Sequence, residues 1–218
     1  SYRGLFEMAT GSGKTFTSIS AAKQLYDKNK RICLVVLAPL RHLVTQWATE
    51  LENFNFNPIL CFDDSKKWQK EAYPELQKYK SGLKDNVCFV ATHATATLQP
   101  FQEFVSTINR DWMLIADEVH GLGSNKQCCA LFPDAKNRLG LSATPRRWYD
   151  NEGTDRLIKY FDKTVIEFNL ERAIRGDENG ENKVLTPYEY EPILIEFTEE
   201  ELSNFEDLTH KIGLIAMK

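Results

Sequence analysis

A glycine-rich stretch near the start of the chain, MATGSGKT from Met8 to Thr15, has the composition of a phosphate-binding loop. Gly11 and Gly13 allow the backbone to fold tightly and to point its N–H groups at a phosphate. Lys14 supplies a mobile positive charge for the outer phosphates, and the hydroxyl of Thr15 suits Mg²⁺. The usual pattern begins with glycine, whereas this sequence has methionine there. The stretch therefore predicts a nucleotide-phosphate site that departs from the common pattern at its first position.

An acidic pair, Asp117 and Glu118, directly follows the apolar run 112–116. A phosphate loop needs a partner strand whose end presents carboxylates to the metal ion and to the attacking water. Asp117 fits as the Mg²⁺ ligand, and Glu118 fits as the base that orients and deprotonates the water. Acidic pairs also end strands in ordinary solvated turns, but the phosphate loop in the same chain favours the catalytic interpretation.

Two small hydroxyl residues, Ser142 and Thr144, lie in the segment LSATP (141–145), at the end of another apolar run. Ligands of open α/β sheets bind beside the carboxyl ends of the strands, so these hydroxyls could hydrogen-bond the acidic pair and His120. In that position they would sense whether the terminal phosphate is present. Considered alone, the segment is typical of an ordinary Ser/Thr/Pro turn.

The elements that must position these residues alternate between apolar strand-like runs and helical stretches. This alternation predicts an α/β domain with three layers, in which a mostly parallel central sheet lies between helices. One of the runs is almost entirely apolar, as expected for a strand that is covered on both faces. The predicted strands lie at 5–8, 31–38, 59–62, 86–92, 112–116 and 137–144.

Helices are predicted wherever apolar residues recur at helical spacing. The helix after the phosphate loop places Phe16 on its apolar stripe, and the helix after the second strand places Leu40 on its stripe. The lysine-rich segment Ser65–Lys80 predicts a solvated helix, and the apolar residues of 101–108 predict a shorter one. His93, which follows a predicted strand, is interpreted as a loop or core histidine.

The C-terminal part has a different pattern. Residues 184–197 are predicted to be extended, because apolar side chains alternate there at period two. Thr198 and Glu201 fit a capping box that opens a last helix. That helix carries an apolar stripe for which we identify no partner in this sequence, formed by Leu202, Phe205, Leu208 and Ile212.

Composition limits the classes of function. The 218 residues are 42% hydrophobic and 27% charged, which is typical of a globular protein, and no apolar run approaches the roughly 20 residues that span a bilayer. The net charge of −4 excludes a global basic field, so any nucleic-acid contact must come from a local patch. Five cysteines without paired spacing favour a reducing, cytoplasmic setting, or a nuclear one in a eukaryote. The four histidines are too scattered to predict a zinc site.

Four motifs in order identify a family. The segments MATGSGKT (8–15), APLRHLVTQW (38–47), DEVH (117–120) and RLGLSATPRR (138–147) resemble the first motor domain of superfamily 2 helicases and translocases. Within that superfamily the chain is most similar to the branch of XPB-type helicases and the res motor subunits of type I and III restriction enzymes. Methionine at the first loop position is usual in that branch, and LTPYEY (185–190) is similar to the segment that links its two motor domains.

The resemblance implies a RecA-like fold, ATP and Mg²⁺ as ligands, and a set of site residues. The nucleotide would be bound by Thr10, Gly11, Ser12, Gly13, Lys14 and Thr15. The catalytic residues would be Lys14, Asp117 and Glu118, with Thr15 and Asp117 as Mg²⁺ ligands. Coupling to nucleic acid would be carried by His120, Ser142 and Thr144. The tracked nucleic-acid strand would be contacted by Pro39, Leu40, Arg41 and Thr92.

The resemblance also implies a division of the chain. Residues 1–170 are expected to form the first motor domain, with the adenine-reading segment lying upstream of Ser1. Residues 171–218 are expected to form a linker segment and a helix that lead toward a second motor domain outside this sequence. Hydrolysis in this family takes place between the two domains, and an arginine finger can contribute roughly 10³–10⁵ in rate in related enzymes. We therefore expect the chain to bind ATP weakly and to hydrolyse it negligibly when isolated.

These observations predict an ATP-driven helicase or translocase that moves along duplex DNA, with subunits of a restriction or repair complex as candidate partners. Two alternatives stay open from the sequence: a nucleotide-gated scaffold in a restriction or anti-phage complex, and an RNA-directed helicase. A kinase or a small GTPase is disfavoured, because neither class needs the DEVH segment followed by SATP at the next strand.

Overall fold

The computed structural model describes residues 2–108, 111–147, 149–177 and 179–216. The chain divides into two compact units, Ser1–Thr186 and Pro187–Lys218. The first unit is built on a seven-stranded sheet, and every strand pairing in the described residues is parallel. Its strands are β1 (Arg3–Met8), β2 (Ile32–Ala38), β3 (Pro58–Cys61), β4 (Asn86–Thr92), β5 (Trp112–Ala116), β6 (Asn137–Ser142) and β7 (Thr164–Phe168). They lie in the order β3-β4-β2-β5-β6-β1-β7.

Helices cover both faces of the sheet. They are α1 (Lys14–Asn29), α2 (Arg41–Asn53), α3 (Ser65–Lys80), α4 (His93–Ala96), α5 (Gln99–Ser106), α6 (Asn151–Phe161) and α7 (Leu170–Arg175), and α8 (Glu199–Ala216) lies in the second unit. Short 3-10 helices span Val119–Gly123 and Cys128–Ala130. The side chains of β2 alternate between two buried clusters, one beneath α1 and α2 and one beneath α3 and α5. This double cover explains why β2 is apolar throughout and confirms the predicted three-layer α/β fold.

The six predicted strands are all present, and their observed bounds differ from the predicted ones by at most two residues. The seventh strand, β7, was not predicted. Among the described residues it pairs only with β1, at the edge of the sheet, and most of its residues are exposed. An edge strand needs no continuous apolar run, so its sequence carries a weak signal. The helix that leads into it, α6, was missed as well.

The prediction that Ser65–Lys80 forms a solvated helix is wrong in one respect. Trp68, Ala72 and Leu76 are buried along one side of α3. The Trp68 ring packs edge-on against Phe104 of α5, with ring centroids 5.6 Å apart. Lysines on the opposite side obscured this stripe, because the composition of the whole segment is polar while its inner face is not.

Two residues that were predicted on apolar stripes lie at the surface. Phe16 in the first turn of α1 is exposed, and it contacts Phe54 edge-on at a centroid distance of 5.2 Å. Leu40 precedes α2 as its N-cap and is also exposed. The buried face of α1 instead includes Ser18, whose hydroxyl donates to the carbonyl of Thr15 at 2.8 Å. An internal backbone acceptor allows a small polar residue to occupy a core position.

The first unit extends to Thr186. The backbone N–H groups of Val184 and Leu185 both donate to the carbonyl of Ala173, at 3.0 and 2.9 Å. These bonds attach the segment after α7 to the sheet domain. The compact unit thus continues beyond residue 170, and the role of 171–218 as a linker stays a prediction.

The second unit contains α8 and the segment before it. The predicted capping box is present: the N–H of Thr198 donates to Glu201 Oε2 at 2.9 Å, and the N–H of Glu201 donates to Thr198 Oγ1 at 3.3 Å. The residues from 187 to 197 form no strand in the described part of the chain, and Phe197 stacks on Phe205 of α8. Among the described residues, no helix has the length and apolar character needed to cross a membrane.

Candidate active site

The predicted site residues meet at the carboxyl edge of the sheet. The phosphate loop (8–15) follows β1, Asp117 and Glu118 follow β5, and Ser142 ends β6. The strands β5, β6 and β1 are neighbours and run in parallel, so their carboxyl ends share one edge. Segments more than a hundred residues apart in sequence thereby lie at one edge of the sheet, which is where open α/β sheets bind ligands.

The phosphate loop has the backbone that its glycines permit. Gly11 and Gly13 have φ angles of 79° and 90°, in the left-handed region that favours glycine. A Cβ at Gly13 would meet no atom within 4 Å, so the backbone angle, not crowding, calls for glycine there. Ser12 donates to the carbonyl of Ala9 through both its N–H (3.2 Å) and its hydroxyl (2.6 Å). The loop leads into the first turn of α1, whose N–H groups can bind an anion.

Lys14 is the buried cation of this loop. Its side chain is 9% exposed, and its Nζ donates to the carbonyl of Met8 at 3.0 Å. An ammonium has three donors, and this carbonyl accepts only one of them. Met8 packs its side chain into the core as the last residue of β1. The position that usually holds glycine thus contributes a core side chain and a carbonyl that orients Lys14.

Asp117 is buried and is held by several hydrogen bonds. Its Oδ2 accepts from Trp47 Nε1 at 2.9 Å, and its Oδ1 accepts from the N–H of Glu118 at 2.9 Å. Its own N–H donates to the carbonyl of Leu37 at 2.8 Å, and its carbonyl accepts from His93 Nε2 at 2.9 Å. Burial raises the pKa of Asp117, and the Trp47 hydrogen bond opposes that shift by favouring the carboxylate.

Glu118 has an unusual backbone for a non-glycine residue. Its φ of 44° and ψ of 49° are left-handed, which costs about 1–2 kcal/mol for a residue with a Cβ. His120 Nδ1 lies 3.3 Å from Glu118 Oε2. This hydrogen bond lowers the pKa of Glu118, and the charge of Lys14 acts in the same direction. The side chain is therefore a carboxylate at neutral pH, as a group that orients and deprotonates water must be.

A polar chain continues from Glu118 to the end of β6. His120 Nδ1 also lies 3.2 Å from the hydroxyl oxygen of Ser142, which is fully buried. The N–H of Thr144 donates to that same oxygen at 3.1 Å. The structure thus brings together His120, Ser142 and Thr144 as the sequence predicted, although Thr144 takes part through its backbone and its side chain is exposed.

Arg147 holds the same turn from the far side and was missed in the sequence. Its Nη1 donates to the carbonyl of His120, and its Nε bonds Asp150 Oδ2 at 2.7 Å. A Cβ at Gly123 would come within 2.6 Å of this side chain, and one at Gly153 within 2.7 Å. The Arg147 side chain therefore lies between Gly123 and Gly153, and a side chain at either position would clash with it. The glycines at these two positions were the signal that sequence reasoning could have used.

Trp47 and His93 were not assigned to the site from the sequence either. Both are buried, at 2% and 3% exposure. Since a carbonyl oxygen can only accept, His93 must carry its proton on Nε2. Burial lowers the pKa of His93 to about 4, so it is neutral at physiological pH. The available signal was the indole N–H of Trp47 on a buried stripe, because such a group requires an acceptor.

The residues predicted to contact nucleic acid follow β2 and β4, on the other side of β5 from the phosphate loop. Leu40 and Arg41 are exposed, and Arg41 pairs with Asp63. Thr92 is buried, and its hydroxyl oxygen accepts from the N–H of Thr95 at 3.0 Å as the cap of α4. Its predicted nucleic-acid contact stays a prediction.

Comparisons with known proteins identify the family. A family model described as the type III restriction enzyme res subunit matches residues 1–147. The chain belongs to this family. The Rad25 protein of Haloarcula marismortui, named as a DNA 3'-5' helicase, is 31% identical over an alignment of 196 residues that covers 83% of this chain and 28% of that protein. Its namesake in Halobacterium salinarum is 31% identical over 144 residues, or 65% of this chain. The chain thus spans 28% and 20% of the lengths of these two relatives.

Solved structures share the fold. A nuclease-deletion mutant of the type ISP restriction-modification enzyme LlaGI, solved with a DNA substrate mimic, has a TM-score of 0.61 at 20% identity over 82% of this chain and 19% of that one. A DEAD box protein from Methanococcus jannaschii has a TM-score of 0.57 at 22% identity over 80% of this chain and 47% of that one. These comparisons confirm the predicted RecA-like fold and the superfamily 2 helicase family. The chain is a helicase-family motor domain, and ATP binding follows from that family.

Proposed function

We propose that this chain is the ATP-binding motor domain of a protein that couples ATP hydrolysis to movement along duplex DNA. The observation that carries the proposal is the convergence of the three motifs at the carboxyl ends of β1, β5 and β6. A glycine loop with left-handed backbone and a buried lysine follow β1, and a glutamate whose pKa is lowered by His120 follows β5, with β6 between the two strands. This is the set of groups that phosphoryl transfer to water requires.

The residues present fit a nucleotide with Mg²⁺. The N–H groups of the loop from Thr10 to Thr15 would bind the phosphates, and the two remaining donors of Lys14 would bind their outer oxygens. Thr15 and Asp117 would supply the hard oxygen ligands that Mg²⁺ prefers. The chemistry that Mg²⁺ supplies when bound is neutralisation of the charge on the phosphates.

Glu118 would act on the attacking water. In hydrolysis the water oxygen bonds to the terminal phosphorus, the bond to the leaving phosphate oxygen breaks, and Glu118 accepts a water proton. His120 holds the Glu118 carboxylate, and Ser142 holds His120 from the next strand. We propose that these contacts couple the state of the nucleotide to bound nucleic acid.

Nucleic acid would be bound beside the ends of β2 and β4. Leu40 and Arg41 are exposed there, and Arg41 would contact a backbone phosphate without reading sequence. Pro39 would shape the same segment, and Thr92 would act through α4, the short helix that it caps. The choice of DNA is supported by the Rad25 relatives, which are named as DNA helicases, and by the DNA substrate mimic in the LlaGI structure.

The proposed partners follow from the same family. A second motor domain in the full-length protein would complete the ATP site, with residues 1–170 as the first motor domain and 171–218 leading to the second. Subunits of a restriction or repair complex are further proposed partners. On this proposal the isolated chain binds ATP weakly and hydrolyses it negligibly, and robust turnover by the isolated chain would contradict the need for a second domain.

The proposal is tested on the full-length protein by measuring ATP hydrolysis and triplex displacement on duplex DNA. Lys14→Ala should abolish nucleotide binding. Glu118→Gln should preserve binding and lower turnover by about 100-fold or more, because the base is lost. Normal turnover of the Glu118→Gln variant would show that another group is the base.

Two other outcomes would replace the proposal with a different function. Stimulation by RNA and not by duplex DNA would indicate an RNA-directed helicase. ATP binding that arranges partner subunits without any displacement of the triplex strand would indicate a nucleotide-gated scaffold.

A further inference from the structure

Asp117 is held by two buried side chains that come from different elements. Trp47 on α2 donates to its carboxylate at 2.9 Å, and His93 at the start of α4 donates to its carbonyl at 2.9 Å. Both residues and Asp117 itself are less than 10% exposed. Hydrogen bonds between buried groups are difficult to replace with water, so these two define where Asp117 lies.

Each of these elements begins at one of the two segments proposed to contact nucleic acid. The helix α2 begins at Arg41, and Trp47 follows six residues later on the same rigid helix. The helix α4 begins at His93, directly after Thr92. If either segment moved, the movement would therefore be transmitted to Asp117 through one side chain, which is Trp47 for α2 and His93 for α4.

The contact between His93 of α4 and Asp117 spans the width of one strand, β2. In the sheet β2 lies between β4 and β5, so the ends of β4 and β5 are about 9.5 Å apart. His93 spans this gap to the carbonyl of Asp117, while the N–H of Asp117 donates to Leu37 of β2. Gly121 packs beside the imidazole, since a Cβ there would lie in van der Waals contact with His93 Nδ1, at 3.4 Å. The backbone of Asp117 is thus hydrogen-bonded to Leu37 of β2, the strand that leads into 39–41, and to His93, which follows Thr92.

We propose that Trp47 and His93 are positioning residues that transmit nucleic-acid binding at 39–41 and around Thr92 to the carboxylate of Asp117. The inference rests on the proposed function. The coupling requires that the two hydrogen bonds differ between the free and the nucleic-acid-bound states, because a ligand shifts an equilibrium only through a difference in interaction. Neither residue touches the reacting atoms in this role. Their loss should therefore lower kcat in the presence of nucleic acid by a larger factor than it changes nucleic-acid affinity, because neither residue itself contacts the nucleic acid in this role.

The experiment compares matched variants of the full-length protein. Trp47→Phe removes the indole donor and keeps an aromatic ring. Trp112→Phe is its control, because Trp112 is 1% exposed and its Nε1 has no hydrogen-bond partner within the described part of the chain. His93→Ala removes the second donor, and His93→Gln restores one through its amide. For each variant, kcat with and without duplex DNA, KM for ATP and Kd for DNA are measured.

The expected result is specific. Trp47→Phe and His93→Ala each lower DNA-stimulated kcat by about tenfold or more, since each loses a bond to a charged or buried acceptor. Kd for DNA changes by a smaller factor than kcat, Trp112→Phe resembles the unaltered protein, and His93→Gln recovers most of the rate. The proposal is overturned if Trp47→Phe and Trp112→Phe have equal kcat, or if His93→Gln is no better than His93→Ala.

A second measurement separates this proposal from the proposed function. If the unaltered protein shows no DNA stimulation, the proposed function fails, and the positioning of Asp117 is then judged by Mg²⁺ alone. The Mg²⁺ concentration for half-maximal binding of a fluorescent ATP analogue should rise about tenfold in Trp47→Phe and stay unchanged in Trp112→Phe. Equal Mg²⁺ dependence in these two variants would overturn the positioning role itself.

Discussion

Two turns at the same edge of the sheet reach a left-handed backbone by different means. The phosphate loop (8–15) uses Gly11 and Gly13, at φ angles of 79° and 90°. The second turn, which we call the carboxylate turn (117–120), has Glu118 at 44°. Glycine adopts this region at no steric cost, whereas a glutamate requires support from its surroundings.

The two turns also differ in how far away in sequence their hydrogen-bond partners lie. In the phosphate loop the bonds made by Ser12 and Lys14 are local, since Lys14 donates to the carbonyl of Met8 six residues earlier, and only the start of the loop is tied to a distant strand, through the N–H of Ala9 and the carbonyl of Phe168. The carboxylate turn is held from outside by Trp47, His93 and Arg147, which lie 70, 24 and 27 residues away from their partners. One geometry is therefore a property of a short sequence, and the other is a property of the packed domain. Substitutions should reveal this difference.

Removal of Arg147, which supports the far side of the carboxylate turn, should have the largest effect. Arg147→Met loses the charge-assisted bond to the carbonyl of His120 and the fit between Gly123 and Gly153. The free energy of unfolding should fall by about 2–3 kcal/mol, and turnover of the full-length protein should fall with it. Urea unfolding measures the first effect. Arg146→Met is the matched control, because Arg146 is the neighbouring arginine and is exposed. Equal losses of stability in the Arg147→Met and Arg146→Met variants would contradict the role of Arg147 as a support.

Acid should weaken the carboxylate turn through His93. Its pKa is about 4 in the folded chain and about 6.5 when unfolded, so between these values the unfolded chain binds more protons. Stability is therefore full above pH 6.5 and is lost as the pH falls toward 4. From pH 7.5 to pH 5 the contribution of His93 falls by about 2 kcal/mol. Urea unfolding of His93→Gln should lack this component, and an identical pH dependence in both proteins would refute it.

In the phosphate loop, replacing a glycine with a residue that disfavours the left-handed backbone should by itself weaken nucleotide binding. Gly13→Ala forces a Cβ into a left-handed backbone at a cost of about 1–2 kcal/mol, so nucleotide affinity should fall by about 5- to 30-fold. Gly82→Ala is the control, because Gly82 has a φ of 80° and equally open surroundings, but lies far from the site in sequence. Both variants should lose stability, and only Gly13→Ala should bind nucleotide more weakly in a fluorescence titration.

The smallest effect concerns the strained residue itself. Asparagine tolerates the left-handed region better than glutamine does, so Glu118→Asn should be more stable than Glu118→Gln by about 0.5–1 kcal/mol. At Glu103, inside α5, the order should reverse because asparagine is the poorer helix former. Thermal unfolding of the four variants checks both signs. The same order at both positions would show that Glu118 carries no backbone strain.

Sequence reasoning succeeded where the signal is local or continuous. Apolar runs such as 86–92 and 112–116 predicted buried strands with the observed bounds, and the glycines of the phosphate loop predicted its backbone. It failed where a residue's role depends on a distant partner. The edge strand β7 is recognised only by its pairing with β1, and the inner face of α3 only by the ring of Phe104 against Trp68.

The chain's linear order was enough to specify the phosphate loop, the acidic pair and the sheet edge at which they meet. Parallel strands with helical crossovers can present their carboxyl ends at only one edge, so the motifs had to converge there. Tertiary structure alone decided how Asp117 and Glu118 are oriented. That orientation depends on the indole of Trp47, the imidazole of His93 and the guanidinium of Arg147, which reach the turn only when α2, α4 and the segment before α6 pack beside it.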